Sequence, residues 1–288
     1  MPGPLCILSR ATPADIPRLA AISARAFVRD TNTQMKAQGQ KPGAFEEGMA
    51  AGLRMWVDLP PSRCVVLKAI ERRDDGGSGG GHIAGWVCWG TRGAELTLPS
   101  SPEPDGPTLL HEPTTAAGTS EHGDEEEAEL ASEKRQDEEQ VGAGPSEEAV
   151  SRIKQFEDMT SEHLAAFQKR IMPEGTRCMY IISAAVDPAA QGRGVGSRLV
   201  RWGTEQADRN GVFCWVHASE AGWKMFEGQG FVEVERLTVD LDAWAVGRKT
   251  QKGKLPLPSS GEEEEGKGIE ESWGEYTFRY MVRKPGAI

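Results

Sequence analysis

The chain has 288 residues, and only 38% of them are hydrophobic, which is low for a protein folded throughout its length. Its formal net charge is -11, but residues 120–150 hold twelve acidic against two basic side chains, and residues 261–271 hold six against one. The acid therefore lies in two runs, and the mildly basic remainder suits a polyanionic ligand. No basic patch is interleaved with aromatic residues, so nucleic acid is not an expected partner.

Five cysteines are scattered along the chain, without a Cys-x-x-Cys pair or a His/Cys cluster at zinc-binding spacing. We expect reduced core thiols, no metal, and an intracellular location, cytoplasmic or nuclear. Pro13, Asp15 and Arg18 interrupt the only apolar stretch near the N-terminus, so no signal peptide is expected. No run approaches the roughly 20 apolar residues of a membrane span, so no membrane partner is expected, and the oligomeric state stays open.

The first part of the chain alternates strand and helix patterns up to a long polar segment. The patterns predict a strand at 5–10, a helix that begins at Thr12-Pro13, a helical patch at 43–57, strands at 63–71 and 82–90, and a flexible hairpin tip at 74–81. Residues 93–146 are dominated by Pro, Gly, Ser, Thr and Glu and cannot bury enough apolar area to offset their ordering entropy. A disordered acidic insertion is therefore expected there.

The same patterns return after this insertion. They predict a helix at 147–170, a strand at 179–186, a helix to about 209, a strand at 212–218, a short helix that Ser219 caps and that runs through Gln229, a long strand at 231–244 and a last strand at 276–283. A second acidic loop is expected at 247–272. This order predicts an α/β protein with a mixed sheet flanked by helices.

The most informative segment follows the predicted strand at 179–186. Asp187-Pro188 ends that strand, and a turn containing Gly192, Gly194 and Gly196 leads directly into a helix. A strand, a turn of bare backbone amides and a helix N-terminus together form an anion site, because unpaired N–H groups and the helix dipole point to one spot. The segment therefore predicts phosphate or pyrophosphate binding.

Three glycine-rich phosphate motifs can be compared with this turn. A Walker A loop requires a lysine after its last glycine, but Gly196 is followed by Ser197 and Arg198. A dinucleotide-binding fingerprint requires a third glycine where Ser197 stands, and it belongs near the first strand of its domain. The remaining pattern is Gln-x-x-Gly-x-Gly, counted from Gln191, and it closely resembles the acyl-CoA loop of the GCN5-related N-acetyltransferases, the GNAT family.

Other segments of the chain share this resemblance. The family carries a Val-x-Pro turn before the loop, a Gly-Phe pair after a later short helix, and an N-terminal Arg-x-Ala/Thr strand end, which are matched by Val186-Asp187-Pro188, Gly230-Phe231 and Arg10-Ala11-Thr12. The resemblance covers about 5–92 and 147–285. It implies a GNAT-like, mostly antiparallel mixed sheet in a single domain made of 1–92 and 147–288, interrupted by the 93–146 insertion.

The resemblance also implies roles for individual residues. The backbone of Ala185 and Val186 would pair with the pantetheine arm of acetyl-CoA. The pyrophosphate would be held by the turn and the helix start, namely Gln191, Gly192, Arg193, Gly194, Val195, Gly196 and Ser197. Arg193 would add a charge-assisted contact to phosphate.

The catalytic groups are less well defined than the cofactor loop. Many family members have a tyrosine, which protonates the leaving thiolate, where this chain has Phe226. His217, at the end of a predicted strand, is the candidate base, although a lone strand histidine is more often structural. Ser219 is a candidate site residue near the pantetheine, or simply a helix cap. Glu71 and Glu220 are weaker candidates, because carboxylates usually lie on the surface.

The expected function is acetyl-CoA-dependent transfer of an acetyl group to an amine of a small molecule or peptide, by direct attack in a ternary complex. One alternative is a catalytically silent CoA-binding or scaffold protein, which Phe226 favours. Another is a nucleotide-binding protein of the Rossmann or P-loop class. Four tryptophans, at 86, 89, 215 and 223, either line an acceptor pocket or pack the sheet against its helices. The acceptor itself is not predictable from the sequence.

Overall fold

The computed structural model describes residues 6–71, 81–98, 145–247 and 272–286. Most of the two segments expected to be acidic loops, and the hairpin tip at 74–81 except for residue 81, lie outside these residues. Six helices are described: α1 (Ile16–Phe27), α2 (Thr31–Lys36), α3 (Ala44–Asp58), α4 (Glu147–Ile171), α5 (Val195–Arg209) and α6 (Trp223–Glu227). Seven strands are described: β1 (Cys6–Arg10), β2 (Cys64–Glu71), β3 (His82–Arg92), β4 (Cys178–Val186), β5 (Phe213–Ala218), β6 (Val232–Asp240) and β7 (Glu275–Arg283).

The strands form one sheet in the order β1-β2-β3-β4-β5-β7-β6. Every neighbouring pair is antiparallel except β4 and β5, which are parallel. A parallel pair needs a crossover connection, and α5 supplies it. The predicted fold class, a mixed and mostly antiparallel sheet flanked by helices, is confirmed.

Helices cover both faces of the sheet. On one face, α5 and α6 pack on a core that includes Trp89, Leu199 and Phe226. On the other face, α1 and α3 enclose Trp86, and α4 covers Trp215. Burying the large aromatic side chains on both faces stabilises the layered arrangement.

Local signals set the ends of several helices. Thr12 and Asp15 form a capping box at the 3₁₀ turn before α1, with Thr12 N and Oγ1 donating to Asp15 Oδ2 at 2.7 and 2.8 Å. Ser146 Oγ accepts the Ala149 N–H at the start of α4, at 3.2 Å. Gly230 follows α6 with φ +85°, the left-handed conformation expected after a helix.

The structure differs from the predicted elements in three places. The helix expected to begin at Ser219 is shorter, because Gly222 occupies the cap position of α6. The long strand expected at 231–244 ends at Asp240, whose carboxylate caps a short 3₁₀ turn. The sequence pattern did not predict α2, which Asp30 caps through Thr33.

The first residues of the expected insertion remain attached to the core. Asn210, which ends α5, exchanges hydrogen bonds with the backbone of Glu95, at 2.8 and 2.7 Å. Gln206 Oε1 accepts the Thr97 N–H at 2.8 Å, and Leu96 and Leu98 pack against the core next to them.

All five cysteines are buried and free, as predicted. No helix in the described ranges is long and apolar enough to cross a membrane.

Candidate functional site

A gap opens in the sheet between the two parallel strands. The pairing of β4 with β5 ends at Ile181 and Val216, yet β4 continues to Val186 while it pairs only with β3. Cys88 lies opposite Ser183 and Trp89 opposite Ile181, so Ile182 is an extra residue, a β-bulge, where the gap begins. Hydrogen-bonding groups on this side of β4 are therefore available to an extended ligand.

The glycine turn stands at the end of the same strand. Gly192 and Gly194 have φ of +74° and +81°, which glycine adopts without the steric cost that a Cβ would bring. Gly194 is the cap residue of α5, and no side chain caps this helix. Within the described part of the chain, the N–H groups of 192–197 have no acceptor. Unpaired N–H groups at the start of a helix are the arrangement that anion binding requires.

The side of the turn facing β4 is closely packed. Gln191 Nε2 donates to the Val186 carbonyl at 3.1 Å, so this carbonyl already has one partner. A Cβ on Gly196 would lie 3.5 Å from Val186 Cγ2, at ordinary contact distance. The turn is thus folded against the end of β4, and its unpaired N–H groups lie next to the gap.

A buried carboxylate holds the entry to the turn. Asp187 Oδ2 lies 2.7 Å from Arg25 Nη2 and 3.2 Å from Arg18 Nη2, and both arginines extend from α1. Burial alone would raise the pKa of Asp187, but the hydrogen bonds from Arg25 and Ala189 N and the two guanidinium charges hold it below its usual value. The turn is thereby fixed to the helix layer on the opposite face of the sheet.

A second buried carboxylate, Glu71, pairs with Arg193 in the middle of the turn. Arg193 Nη2 lies 2.7 Å from Glu71 Oε2, and the Glu71 side chain is only 2% exposed. The expectation that Glu71 is a surface carboxylate is therefore wrong, because the glycine turn covers the end of β2. His82, opposite Glu71 on β3, approaches the same oxygen with Nε2 at 3.6 Å. Arg193 was predicted as a phosphate ligand, and the structure places it in this ion pair.

His217 lies one residue beyond the last β5 position that pairs with β4. Its ring stacks on Tyr280 at 4.8 Å and lies 5.1 Å from the Phe278 ring. Its Nε2 is buried and has no hydrogen-bond partner among the described residues. Burial, with a smaller contribution from the His163 charge, lowers the pKa of His217 to about 4, so the imidazole is neutral at pH 7.

Two other candidate positions, Ser219 and Phe226, lie at or near the short helix α6. The Ser219 carbonyl, not its hydroxyl, accepts the N–H groups of Gly222 and Trp223, at 3.1 and 3.2 Å. Phe226 is 6% exposed and packs edge-on against Phe231, with ring centroids 5.7 Å apart. The side chain at the position of the family tyrosine is therefore a core residue.

Three of the four tryptophans pack the sheet rather than line an open pocket. Trp86, Trp89 and Trp215 are at most 2% exposed. The indole N–H of Trp86 donates to the Leu19 carbonyl at 3.0 Å, which fixes α1 on the sheet. Only Trp223 is partly exposed, and the Arg279 guanidinium lies 4.7 Å above its ring.

Two hydrogen bonds join the start of β7 to other parts of the fold, and of the residues involved the sequence had singled out only Glu220. Tyr276 Oη donates to Asp30 Oδ1 at 2.8 Å, which joins β7 to the start of α2. Glu220, a weak candidate from the sequence, accepts the Thr277 N–H at 3.0 Å. Burial and the Asp30 charge raise the pKa of Tyr276, so its hydroxyl stays protonated. Aspartate before a short helix was the available signal, since Asp30 occupies a typical N-cap position.

Comparison with known proteins supports the resemblance for part of the chain. Residues 115–231 match the family model described as the acetyltransferase (GNAT) family. No curated protein sequence matches the chain. Among the described residues, no group of three or more His, Cys, Asp or Glu side chains is placed to hold a metal ion.

Solved structures similar to this chain include several acetyltransferases. One is a polyamine N-acetyltransferase of Drosophila melanogaster, with 13% identity, 97% of this chain and 100% of that chain covered, and a TM-score of 0.48. Another is a histone acetyltransferase HPA2-related protein of Corynebacterium glutamicum, with 13% identity, 99% and 98% coverage, and a TM-score of 0.43. Because these TM-scores are below 0.5, the two similarities carry no weight for function.

Proposed function

We propose that this protein is an acetyl-CoA-dependent N-acetyltransferase that acetylates an amine of a small molecule or peptide. The observation that carries the proposal is the position of the unpaired turn, 192–197, at the end of the strand that borders the gap. An anion site and an open strand edge in direct succession suit a ligand with a pyrophosphate at one end and an amide-containing arm at the other. The GNAT match over 115–231 supports the same assignment.

The residues present fit such a cosubstrate. The N–H groups from Gly192 to Ser197 would hold the pyrophosphate, with Gln191 folded back against β4. The backbone of Ala185 and Val186 borders the gap and would pair with the pantetheine arm. Bound there, acetyl-CoA supplies an activated acetyl group as a thioester.

The transfer would join the acceptor nitrogen to the acetyl carbon and release the thiolate. The attacking amine must be neutral, so its proton has to leave through a side chain or a water chain. Backbone N–H groups near the β4 bulge would polarise the thioester carbonyl in the manner of an oxyanion hole. Phe226 cannot donate a proton, so in this account the thiolate takes its proton from water.

His217 is better suited to hydrogen bonding than to strong base catalysis. Its pKa of about 4 makes the imidazole a weak proton acceptor at pH 7. Its unpartnered Nε2 is nevertheless buried beside the gap, where an acceptor amine or a water would satisfy it. We assign His217 and Ser219 to orienting the reactants.

The domain would comprise 1–92 and 147–288, with 93–146 as an acidic insertion and 247–272 as an acidic loop.

A thiol-release assay with a broad amine panel tests the proposal. Purified full-length protein, acetyl-CoA and a thiol reagent should give free CoA that depends on both enzyme and amine, with one acetylated amine for each thiol. If the protein binds acetyl-CoA but releases no thiol with any amine, the catalytically silent alternative is correct.

A further inference from the structure

Glu71 and Asp187 are the only charged side chains that are buried among the described residues. Glu71 ends β2 and Asp187 directly follows β4, and each forms an ion pair with at least one arginine next to the glycine turn or on α1. Asp187, which precedes the turn, is paired with Arg25 of α1. Glu71 is paired with Arg193, which lies within the turn. A buried carboxylate is costly unless a cation or hydrogen bonds compensate it. Glu71 Oε2 has no hydrogen-bond partner among the described residues, so its compensation comes from the ion pair with Arg193, and this favours keeping Arg193 over the end of β2.

Glu71 engages only part of the Arg193 guanidinium. The contact is between Nη2 and Oε2, whereas a guanidinium offers five N–H donors in a fixed plane. The Arg193 side chain is 40% exposed, and no other described residue pairs with it. Among the described residues, its remaining donors have no partner, and the contact with Glu71 keeps one end of the guanidinium next to the end of β2.

We propose that Glu71 is a positioning residue that holds Arg193 for the phosphates of CoA and so makes the protein select a phosphorylated donor over its pantetheine fragment. This inference rests on the proposed function. Without Glu71, Arg193 would regain its side-chain freedom, and the ordering cost would fall on phosphate binding. The affinity for pantetheine, which lacks phosphate, should not depend on Glu71.

Calorimetric titrations of the full-length protein with CoA and with pantetheine test the inference. Glu71→Gln should raise the Kd for CoA about tenfold and leave the Kd for pantetheine within about twofold of wild type. Combining Glu71→Gln with Arg193→Ala should cause no loss beyond that of Arg193→Ala alone, since both act through one contact. Asp208→Asn is the matched control, because Asp208 forms a similar pair with Arg283 at the opposite end of α5, at 2.7 Å. It should lower the Tm without changing the Kd for CoA.

Arg193→Lys keeps the inference testable if Glu71→Gln does not fold. Lysine retains the charge but not the planar fork that serves carboxylate and phosphate together, so the Kd for CoA should rise severalfold. Unchanged or tighter CoA binding by either single variant overturns the role of Glu71, and so does an equal loss for CoA and pantetheine. If the wild-type chain binds no CoA, the proposed function fails as well.

Discussion

Ile181 on β4 and Val216 on β5 are the last two residues that pair these strands, and the sheet opens directly beyond them. One strand, β4, then serves two purposes. Its free edge borders the gap, and its end leads into the turn whose N–H groups have no acceptor among the described residues. A ligand that used both features, as we propose for acetyl-CoA, would therefore be positioned by this single strand.

Gly194→Ala should weaken CoA binding. A Cβ at φ +81° strains the backbone by about 1–2 kcal/mol and moves the N–H groups at the start of α5. We expect the Kd for CoA to rise about tenfold in a calorimetric titration. Gly175→Ala is the matched control, since Gly175 has φ +80° and open space around it but lies outside the turn. Equal CoA affinity in the two variants would show that the turn does not bind the cofactor.

Gly203→Ala should destabilise the fold through the packing of α5 on the sheet. A Cβ at this position would lie 2.0 Å from the Trp89 ring, a contact that requires the helix to shift. Overpacking of this kind costs about 1–3 kcal/mol, measurable by urea unfolding. Gly48→Ala in α3 has nothing within 4 Å and should instead stabilise by about 0.5–1 kcal/mol. A neutral Gly203→Ala would mean that α5 packs less closely on Trp89.

The stability of the protein should fall between about pH 6.5 and pH 4 because of His217. Its pKa is about 4 in the folded state and 6.5 in the unfolded chain, so the unfolded chain binds more protons in this window. The lost free energy of unfolding is about 3 kcal/mol. His217→Phe should remove this part of the pH dependence, whereas Tyr280→Phe, which leaves the imidazole buried, should keep it. Identical pH profiles for wild type and His217→Phe would contradict the burial of a neutral imidazole.

Phe226→Tyr should lower stability without raising the acetyl-transfer rate. The Phe226 ring is packed in the core against Phe231, so an added hydroxyl would crowd a well-packed site at a cost of about 1–3 kcal/mol. We expect kcat to stay within about twofold of wild type. Phe213→Tyr, at a partly exposed ring on β5, controls for the added hydroxyl. A large gain in kcat would indicate that a lost tyrosine limits the reaction.

Most of the secondary-structure elements and the glycine turn were predictable because they depend on local sequence pattern. Short runs of mostly apolar residues defined most strands, and the spacing of Gly192, Gly194 and Gly196 after Pro188 identified the turn. The bulge at Ile182 was not predictable, because register depends on how β3 and β4 align. The helix α2 was missed because its six residues are too few to show a hydrophobic period.

The interactions that hold the site are mostly distant in sequence. In the sequence, Glu71 has no feature that distinguishes it from a surface carboxylate. Its burial becomes visible only in the folded chain, where Arg193 pairs with it. Tyr276 and Asp30 are likewise brought together only by the packing of β7 beside α2. Composition also predicted that the insertion begins at 93, whereas Thr97 and its neighbours contact α5 and the core. The few apolar side chains in this polar segment were too few to be recognised as core residues from composition.

The most direct test of the central claim is calorimetric titration of the full-length protein with CoA, ATP and NAD in separate experiments. Our account predicts one CoA site for each chain and no measurable binding of ATP or NAD, because only CoA joins a pyrophosphate to an arm that fits along β4. Tight binding of ATP or NAD without binding of CoA would contradict the account and assign the glycine turn to a nucleotide-binding protein.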